Sequence, residues 1–432
     1  TTEHDHESFH TATPPCPLLV AHSPKSGPKG SQVLILIEEI LWEVNVRPHD
    51  ILFDIKPMRG YVTCGRRVRG HERGDEGGDG PLADRDCLRK RWKRVRRMGM
   101  NDKVKVIQYG IGPIGLKMLQ YAAERPSLEI VGAVDIDPAK VGKDVGELAE
   151  LSGPLGVTVS GNASELLGKV DADVVILTTS SSLEQIKPQV LEILSFGKNI
   201  VSSCEELMFP WLTQPEVADE IDRAAKNNEV SVLATGVNPG FLMDFLPLVM
   251  TGVCKEVRKV TVERLQNAQF RRLPFQKKIG AGLSLEKFSA RSEQGVLRHV
   301  GLIESIHLIA SGLGWELEKA EDILSPVIAR ERIETPDLVI EPGQASGVNQ
   351  IGRGFVNGEE VITLYFEAAV GVAESRERIL IEGTPSIDLT IKDGVNGDVA
   401  TCAILANAIP VVVDAAAGLR TMADVRAIAC RP

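Results

Sequence analysis

Two adjacent carboxylates follow a short apolar run in the segment NIVSSCEELMFP at 199–210. The first six residues are typical of a buried β-strand, so Glu205 and Glu206 stand just beyond its carboxyl end. A carboxylate in a partly dehydrated cleft can transfer protons and stabilise a positively charged substrate nitrogen. Adjacent side chains diverge in direction, and we therefore expect one of the two glutamates to face a ligand. The alternative is that both start a helix, where acidic residues are favoured.

A glycine motif, YGIGPIG at 109–115, has the G-x-G-x-x-G spacing of a dinucleotide site. Gly110 permits a tight turn, Gly112 lets backbone approach a pyrophosphate, and Gly115 lets helix and strand pack closely. Pro113 and Ile114 begin the helix whose N-terminus would receive the phosphates. A strand precedes the motif, and a helix and a second strand follow it, which is the context that the motif requires. The alternative is that the glycines serve only a tight turn.

Asp135 stands at the end of that second strand, twenty residues beyond Gly115. Its carboxylate would accept hydrogen bonds from ribose hydroxyls and repel a 2′-phosphate, which favours NAD over NADP. Lys140 and Lys143 follow closely, so NADP stays possible. The alternative role for Asp135 is that of a capping or turn residue.

Two later strand ends supply further candidates for cofactor contact. Thr178, Thr179 and Ser180 begin the segment TTSSS, which either lines the nicotinamide ribose or caps the next helix. Asn238 and Pro239 in ATGVNPGFLMD form a rigid turn, which predicts an interdomain hinge and a nicotinamide contact. The alternative is a plain connection between elements.

Cys204 precedes the two acids and resembles a catalytic nucleophile in its position. No motif places a histidine beside it, and a small cysteine at a strand end is more commonly a buried packing residue. We place it among the residues that contact the cofactor. The seven cysteines of the chain lack the spacing of a disulfide framework or a metal site, which predicts no metal and favours a reducing compartment.

The segment RRLPFQKKIGAGL at 271–283 combines cations with small residues and could bind a substrate carboxylate, although an exposed basic loop has the same composition. The candidates for substrate contact are Phe241, Arg272, Lys277 and Lys278. Whether the substrate carries a carboxylate stays open, with Arg264 and Arg271 as further candidate ligands. His299 and His307 lie in a predicted helix and are interpreted as packing or surface residues.

Strand and helix patterns that alternate from residue 103 to 237 must position these groups. The predicted strands are 103–110, 128–135, 171–180, 199–204 and 229–237, and the predicted helices are 113–125, 182–197 and 214–228. Such alternation predicts a doubly wound parallel sheet of the Rossmann type in an α/β fold.

The pattern changes after residue 240 and predicts an α+β domain with a mostly antiparallel sheet. The predicted strands are 256–268, 338–358, 360–371 and 378–394, the predicted helix is 296–314, and 397–419 is predicted as a helix bent at Pro410. We therefore expect a dinucleotide-binding domain at 101–240, a substrate domain at 241–396 and a C-terminal segment at 397–432 that returns to the first domain.

Composition narrows the class of protein. The chain has 432 residues, 43% of them hydrophobic, and a net charge of −10, which indicates a soluble multidomain protein and argues against nucleic acid as a partner. No apolar window or leader predicts a membrane segment, so we expect a cytoplasmic protein. Residues 1–100 differ in composition and contain RKRWKRVRR at 89–97. They are interpreted as a disordered or non-native extension, the alternative being a targeting or nucleic-acid patch.

Five segments carry a resemblance that spans about residues 101 to 425. They are VIQYGIGPIG, NIVSSCEEL, ATGVNPGFLMDFLPL, RRLPFQKKIGAGL and NGDVATCAILANAIPVVVDAAAGLRTM. Together they resemble the 2,4-diaminopentanoate dehydrogenases and the related native amine dehydrogenases, within the dihydrodipicolinate reductase-like group. The resemblance implies a homodimer that carries out NAD(P)-dependent oxidative deamination of an amine to a ketone and ammonia, reversible as reductive amination.

The resemblance also implies that a glutamate of the CEEL segment is the acid/base, which we assign to Glu205 first and Glu206 second. The chain has no HH pair with a nearby KxDxPSGT, so the lysine-biosynthesis activity of the reductase is unsupported. Two rival interpretations are the reduction of a cyclic imine or C=C bond, and a redox sensor that binds NAD(H) without turnover.

Overall fold

The computed structural model describes residues 103–271 and 273–430, and the predictions for residues 1–100 lie outside this range. Its first half alternates strands with helices, as their apolar periodicity requires. In chain order these are β1 (Val104–Tyr109), α1 (Pro113–Ala123), β2 (Leu128–Val134), α2 (Val145–Leu148), β3 (Val159–Ser160), α3 (Ala163–Lys169), β4 (Val174–Leu177), α4 (Leu183–Ser195), β5 (Asn199–Ser202), α5 (Pro215–Asn227) and β6 (Ser231–Ala234).

The second half is richer in long strands. Its elements are α6 (Phe245–Met250), β7 (Glu256–Asn267), α7 (Leu273–Lys278), α8 (Leu285–Glu293), α9 (Leu302–Leu313), β8 (Lys319–Ile328), β9 (Ile333–Glu334), β10 (Val339–Ile340), β11 (Ala345–Val356), β12 (Glu359–Ala369), β13 (Arg376–Thr384), β14 (Ile387–Lys392), α10 (Gly397–Asp414) and β15 (Gly418–Arg420).

A seven-stranded sheet in the order β15-β6-β5-β4-β1-β2-β3 contains only parallel pairs. Every residue of β4, β5 and β6 is buried, because helices cover both faces of the sheet and leave no solvated side. The strand order reverses between β1 and β4. A doubly wound sheet binds its ligand outside the carboxyl ends of the strands at such a reversal.

A six-stranded sheet in the order β14-β13-β7-β12-β11-β8 pairs its strands antiparallel, except for the parallel pair β7–β12. Burial alternates along β7, β11, β12 and β13, which is the signature of a sheet with one face on a core. The apolar helix α9 packs on that face through residues such as Leu302, Ile306 and Ile309. The predicted fold class is therefore confirmed.

The helix α10 returns to the parallel sheet. By length and composition it is the one helix of the described residues that could cross a membrane. Cys402, Leu405 and Ile409 are fully buried in the core of the parallel sheet, and the Ser231 hydroxyl donates to the Val412 carbonyl at 2.6 Å. These contacts make α10 a core helix of this sheet.

Several predicted elements differ from the observed ones for local reasons. The range 378–394 forms a hairpin, β13 and β14, because Pro385 cannot donate to a strand ladder at the turn. The helix predicted for 397–419 ends at Asp414, and Gly418–Arg420 instead adds the edge strand β15 beside β6. The predicted helix 296–314 begins only at Leu302, so the residues before it form a loop.

Candidate active site

A cleft of about 470 Å³ lies where the carboxyl ends of the parallel strands meet the mixed sheet. From the first half of the chain it is lined by Gly112, Pro113, Ile114, Thr178, Thr179, Ser180, Ser181, Ser203, Glu205, Val237 and Asn238. From the second half it is lined by Arg264, Gln266, Arg271, Phe275, Lys278, Ile279, Leu297, Arg298, His299, Val300, Val348, Phe366, Gly397, Asp398 and Thr401.

The glycine loop holds α1 against β1 and leaves space above the helix N-terminus. A Cβ on Gly115 would lie 2.0 Å from the Gly110 carbonyl oxygen, and Gly110 has a φ of +90°. Neither position can therefore carry a side chain without a backbone shift. A Cβ on Gly112 would meet no atom of the described residues within 4 Å. That open space beside the free amides of α1 fits the pyrophosphate of a dinucleotide.

Asp135 braces the same loop from the end of β2. Its two oxygens accept the backbone N–H groups of Ile111 at 2.6 Å and Asp137 at 2.8 Å. The Lys140 ammonium lies 3.4 Å from the Asp135 carboxylate. The neighbouring Ile136 side chain is 87% exposed and offers an apolar surface beside the acid, as an adenine ring requires. The sequence analysis did not identify Ile136 as a candidate for cofactor contact. Its position directly after Asp135 at the strand end could have indicated one.

The residues that follow β4 line the cleft, and their hydroxyls hydrogen-bond to other groups of the protein. Thr178 donates to the Gly110 carbonyl at 2.9 Å, Thr179 donates to Gln189 at 2.6 Å, and the Ser180 hydroxyl lies 2.7 Å from the Gln185 side-chain oxygen. The hydroxyl hydrogens of Thr178 and Thr179 are therefore already engaged within the protein.

The two glutamates after β5 have different surroundings. One oxygen of Glu206 accepts the backbone N–H of Leu183 at 2.8 Å and the Gln214 side-chain amide at 3.2 Å, so Glu206 caps the start of α4. Glu206 is not among the described residues that line the cleft, whereas Glu205 is. The short 3₁₀ turn Glu205–Leu207 separates the two side chains.

Burial raises the pKa of Glu205 above its usual range, and the Lys278 ammonium opposes this shift. Burial is the larger effect, so the cleft favours the protonated acid more than water does. A cation that enters the cleft would favour the carboxylate again. Glu205 can therefore exchange a proton in step with the charge of a bound nitrogen.

Cys204 is 1% exposed, and its Sγ lies 3.2 Å from the Ser181 carbonyl oxygen. Burial, aided by the charges of Glu205 and Glu206, raises the pKa of this thiol, so the nucleophilic thiolate is strongly disfavoured. The side chain belongs to the core of the parallel sheet rather than to the cleft, which corrects our expectation of a cofactor contact through Cys204.

The turn after β6 places one predicted residue in the cleft. Asn238 is 8% exposed and lines the cleft, and both polar atoms of its amide lack a hydrogen-bond partner among the described residues. A buried amide in this state offers one donor function and one acceptor to a ligand. Pro239 is buried behind it against Gly301 and does not line the cleft.

Of the residues predicted to contact substrate, some line the cleft and others do not. Phe241 is half-buried against the core of the parallel sheet, with its ring centre 6.3 Å from that of Phe245, and it is not among the described residues that line the cleft. Lys277 is exposed outside the cleft, whereas Lys278 lines it. Arg272 lies outside the described residues.

Two arginines that the sequence left open as candidates line the cleft, and each is paired with an acid. Arg264 is 2% exposed and lies 3.1 Å from the Glu377 carboxylate. Arg271 lies 3.0 Å from Asp398, and its guanidinium stacks 4.2 Å from the centre of the Phe275 ring. The burial of Arg264 could have been predicted from the sequence, because Val260, Val262 and Arg264 are alternate residues of one strand and therefore lie on the same face.

His299 lies in the loop before α9 rather than in the predicted helix. It lines the cleft, and its ring also packs edge-on against Phe366, with 4.6 Å between the ring centres. Its Nδ1 is 2.8 Å from the Val300 carbonyl oxygen, so Nδ1 donates and Nε2 is left as an acceptor. Burial, aided by Lys278 and Arg264, lowers the pKa of His299 to about 4. The imidazole is therefore neutral near pH 7. His307 instead stacks on Phe209 at 6.4 Å.

Sequence comparison finds relatives over nearly the whole described range. The family model for the 2,4-diaminopentanoate dehydrogenase C-terminal domain matches residues 241–431, and the model for the dihydrodipicolinate reductase N-terminus matches residues 104–203. A 2,4-diaminopentanoate dehydrogenase from Acetoanaerobium sticklandii is 32% identical over 330 residues, which cover 75% of this chain and 93% of that protein.

More distant proteins share the same organisation. An amine dehydrogenase from Streptomyces virginiae is 22% identical over 348 residues, which cover 74% of this chain and 96% of that protein. The structure of an amine dehydrogenase from Mycobacterium smegmatis superposes with a TM-score of 0.68 at 22% identity, covering 76% of this chain and 97% of the other, and so has the same fold. With the identity and coverage of the first relative, these matches show that the chain belongs to the 2,4-diaminopentanoate dehydrogenase family.

Proposed function

We propose that this protein oxidises an amine to a ketone and ammonia with NAD(P), and catalyses the reverse reductive amination, with Glu205 as the acid/base. Membership of the family makes it an oxidoreductase that acts on amines. The observation that carries the proposal is the position of Glu205, which lines the cleft while Glu206 caps α4.

The described residues fit a dinucleotide along one side of the cleft. When bound, the nicotinamide ring supplies the hydride acceptor or donor of the reaction. The open space at Gly112 and the N-terminus of α1 would hold the pyrophosphate, and Asp135 would hold the adenosine ribose. The amide of Asn238, which has no hydrogen-bond partner in the part of the chain that the structure describes, would hold the other end of the dinucleotide.

Glu205 has two tasks in this scheme. Its carboxylate stabilises the iminium cation that lies between amine and ketone, and it moves protons when water adds to that cation and when ammonia leaves. Burial makes both tasks effective, because a charge interaction is stronger where water is excluded. The raised pKa of Glu205 keeps the protonated acid accessible at a higher pH than for an exposed glutamate.

We further infer that the substrate carries a carboxylate apart from the reacting amine. Arg264 and Arg271 lie in one wall of the cleft, each paired with one acid, and Gly397 at the start of α10 adjoins both guanidinium groups. Planar guanidinium groups and a helix N-terminus both favour a carboxylate ligand. An amino acid with a second amino group meets this requirement, as does the 2,4-diaminopentanoate for which the Acetoanaerobium sticklandii relative is named.

The homodimer implied by the resemblance would form through the open face of the mixed sheet, opposite α9. Leu265, Ile351, Tyr365 and Leu380 occupy the alternate positions of neighbouring strands, away from the core, and are all half-buried. A flat face with large apolar residues at its centre is suited to burial against a second copy.

The cofactor assignment predicts the effect of changing Lys140. Lys140→Ala is expected to raise the KM for NADPH about tenfold and to leave the KM for NADH nearly unchanged, because its ammonium is beside the ribose-binding carboxylate. Steady-state kinetics with both cofactors measure this. Lys143→Ala, at an exposed neighbouring position, is the control. A strong preference of the unmutated protein for NADPH would contradict the role given to Asp135.

The acid/base assignment predicts unequal effects of two adjacent substitutions. Glu205→Ala is expected to lower kcat for NADH oxidation with ketone and ammonium by about 10²- to 10⁴-fold. Glu206→Ala is expected to lower stability by about 1 kcal/mol through the lost helix cap, with kcat within a few-fold of the unmutated value. The carboxylate role is wrong if both variants keep near-normal kcat. Turnover of a cyclic imine but not of ketone with ammonium would instead favour the reductase interpretation.

The proposed carboxylate subsite at Arg264 and Arg271 predicts a preference among amine substrates. The kcat/KM for 2,4-diaminopentanoate is expected to exceed that for the same diamine without its carboxylate by about 10- to 100-fold. Arg271→Met should lower this ratio of kcat/KM values. Lys277→Ala should leave it unchanged, because Lys277 is outside the cleft. Equal kcat/KM values for the two amines with the unmutated protein would contradict a carboxylate subsite.

The proposed dimer is tested by mass in solution. Light scattering of the unmutated protein should give twice the chain mass of 46.8 kDa. Ile351→Glu, at the centre of the open face, should shift the equilibrium towards the single chain because a carboxylate would have to be buried. Glu341→Ala, in the turn before β11, is the control. A monomer for the unmutated protein, or no shift for Ile351→Glu, would exclude this interface.

A further inference from the structure

A fully buried amide of the mixed sheet holds the loop that carries His299. Gln350 lies on β11 and is 0% exposed. Its Oε1 accepts the backbone N–H of His299 at 2.8 Å, and its Nε2 donates to the His299 carbonyl at 2.9 Å. One side chain therefore satisfies both backbone polar groups of His299, as a neighbouring strand would do in a sheet.

The orientation of this amide is set by a carboxylate on β8. The Gln350 Nε2 also donates to Asp322, at 2.8 Å and 2.9 Å from its two oxygens. A carboxylate accepts only, so the NH₂ group must face Asp322 and the amide oxygen must face the His299 N–H. Asp322 further pairs with Arg298 at 2.5 Å, so the same acid holds the residue before His299.

The other end of the loop is fixed against the first half of the chain. Gly301 has a φ of +112°, and a Cβ there would lie 2.3 Å from Cγ of Pro239. Four residues later, the Ser305 hydroxyl donates at 2.8 Å to Asp244, a fully buried acid that also accepts the Gly240 N–H at 2.7 Å. The loop therefore spans two fixed supports, one on the mixed sheet and one on the turn that carries Asn238.

A buried amide costs free energy unless its polar groups are paired, and an apolar residue of similar volume would fill the same space without that cost. The amide is useful here because His299 lies in a segment without a strand or helix, so its backbone groups have no ladder to pair with. The hydrogen bonds of Gln350 go to the cleft loop and to the acid that orients the amide. Packing alone does not account for this arrangement.

We propose that Gln350 is a positioning residue of the active site, which fixes the His299 backbone so that its neutral imidazole faces the cleft with Nε2 as a hydrogen-bond acceptor. Gln350 does not itself touch the substrate, since it is not among the described residues that line the cleft. The consequence for catalysis rests on the proposed function, because His299 must meet a donor group of a bound amine. The positioning itself is a property of the protein without ligand.

Hydrogen exchange tests the positioning without any turnover. In Gln350→Met, the amide of His299 is expected to exchange about tenfold faster than in the unmutated protein, measured by deuterium uptake in peptides that cover 296–301. Ser346→Ala is the matched control, because it removes a buried hydroxyl from the same strand, bonded to Val327 and not to the loop. Unchanged exchange in Gln350→Met, or equal acceleration in Ser346→Ala, would overturn the proposal.

Steady-state kinetics test whether the position of His299 affects turnover of the amine. Gln350→Met should lower kcat/KM for the amine by about 10- to 100-fold and leave the KM for NADH within about twofold, since the nucleotide side of the cleft is built by other elements. The double variant with His299→Ala should be no worse than His299→Ala alone. Additive losses would mean that Gln350 acts elsewhere, and the proposal would fail.

A second variant covers the case in which Gln350→Met does not fold. Gln350→Asn keeps the amide and adds no charge beside Asp322, but its shorter side chain cannot reach His299 and Asp322 together. Its exchange rate and kcat/KM should therefore lie between those of the unmutated protein and the expected Gln350→Met values. Values equal to those of the unmutated protein would contradict the proposal. If the unmutated protein turns over no amine, the proposed function fails, and the exchange result still decides the role of Gln350.

Discussion

The hydrogen bond from the Leu183 N–H to the Glu206 carboxylate keeps Glu206 at the start of α4, so that only one of the two adjacent glutamates lines the cleft. The start of α4 has free N–H groups, and Ser182, which precedes it, makes no side-chain cap. Glu206 therefore takes this role from the end of β5, as an acid at a helix N-terminus does well. Its neighbour Glu205 is left to line the cleft, partly dehydrated and with a raised pKa. One acid caps a helix, and its neighbour lines the cleft.

The second half of the chain supplies a wall that is more polar than a core usually tolerates. Arg264 with Glu377, and Gln350 with Asp322, are buried pairs whose removal from water costs free energy that their mutual contacts only partly return. A sheet selected for stability alone would place apolar residues there. The same residues hold charge and a neutral imidazole at the surface of the cleft, which is where such costs are usually found.

Much of the architecture follows from local patterns. The period-two and period-3.6 runs and the context of YGIGPIG predicted the parallel sheet, and the alternating strands after residue 240 predicted the mixed sheet. Local patterns failed where an element is defined by its neighbours. The three residues of β15 are a strand only because β6 offers an open edge, and the loop before α9 is held by Gln350, far away in the sequence.

The sequence by itself determined the fold class, the nucleotide end of the cleft and the identity of the acidic segment, because glycine spacing and strand ends act within one βαβ unit. Only the tertiary structure decided which glutamate faces the cleft, that Cys204 and Phe241 turn into the core, and that Arg264 and His299 reach the cleft wall. The physical reason is that a side chain's direction depends on which distant elements pack around it. Burial, pairing and hydrogen-bond partners are properties of that packing and are not encoded in the spacing of nearby residues.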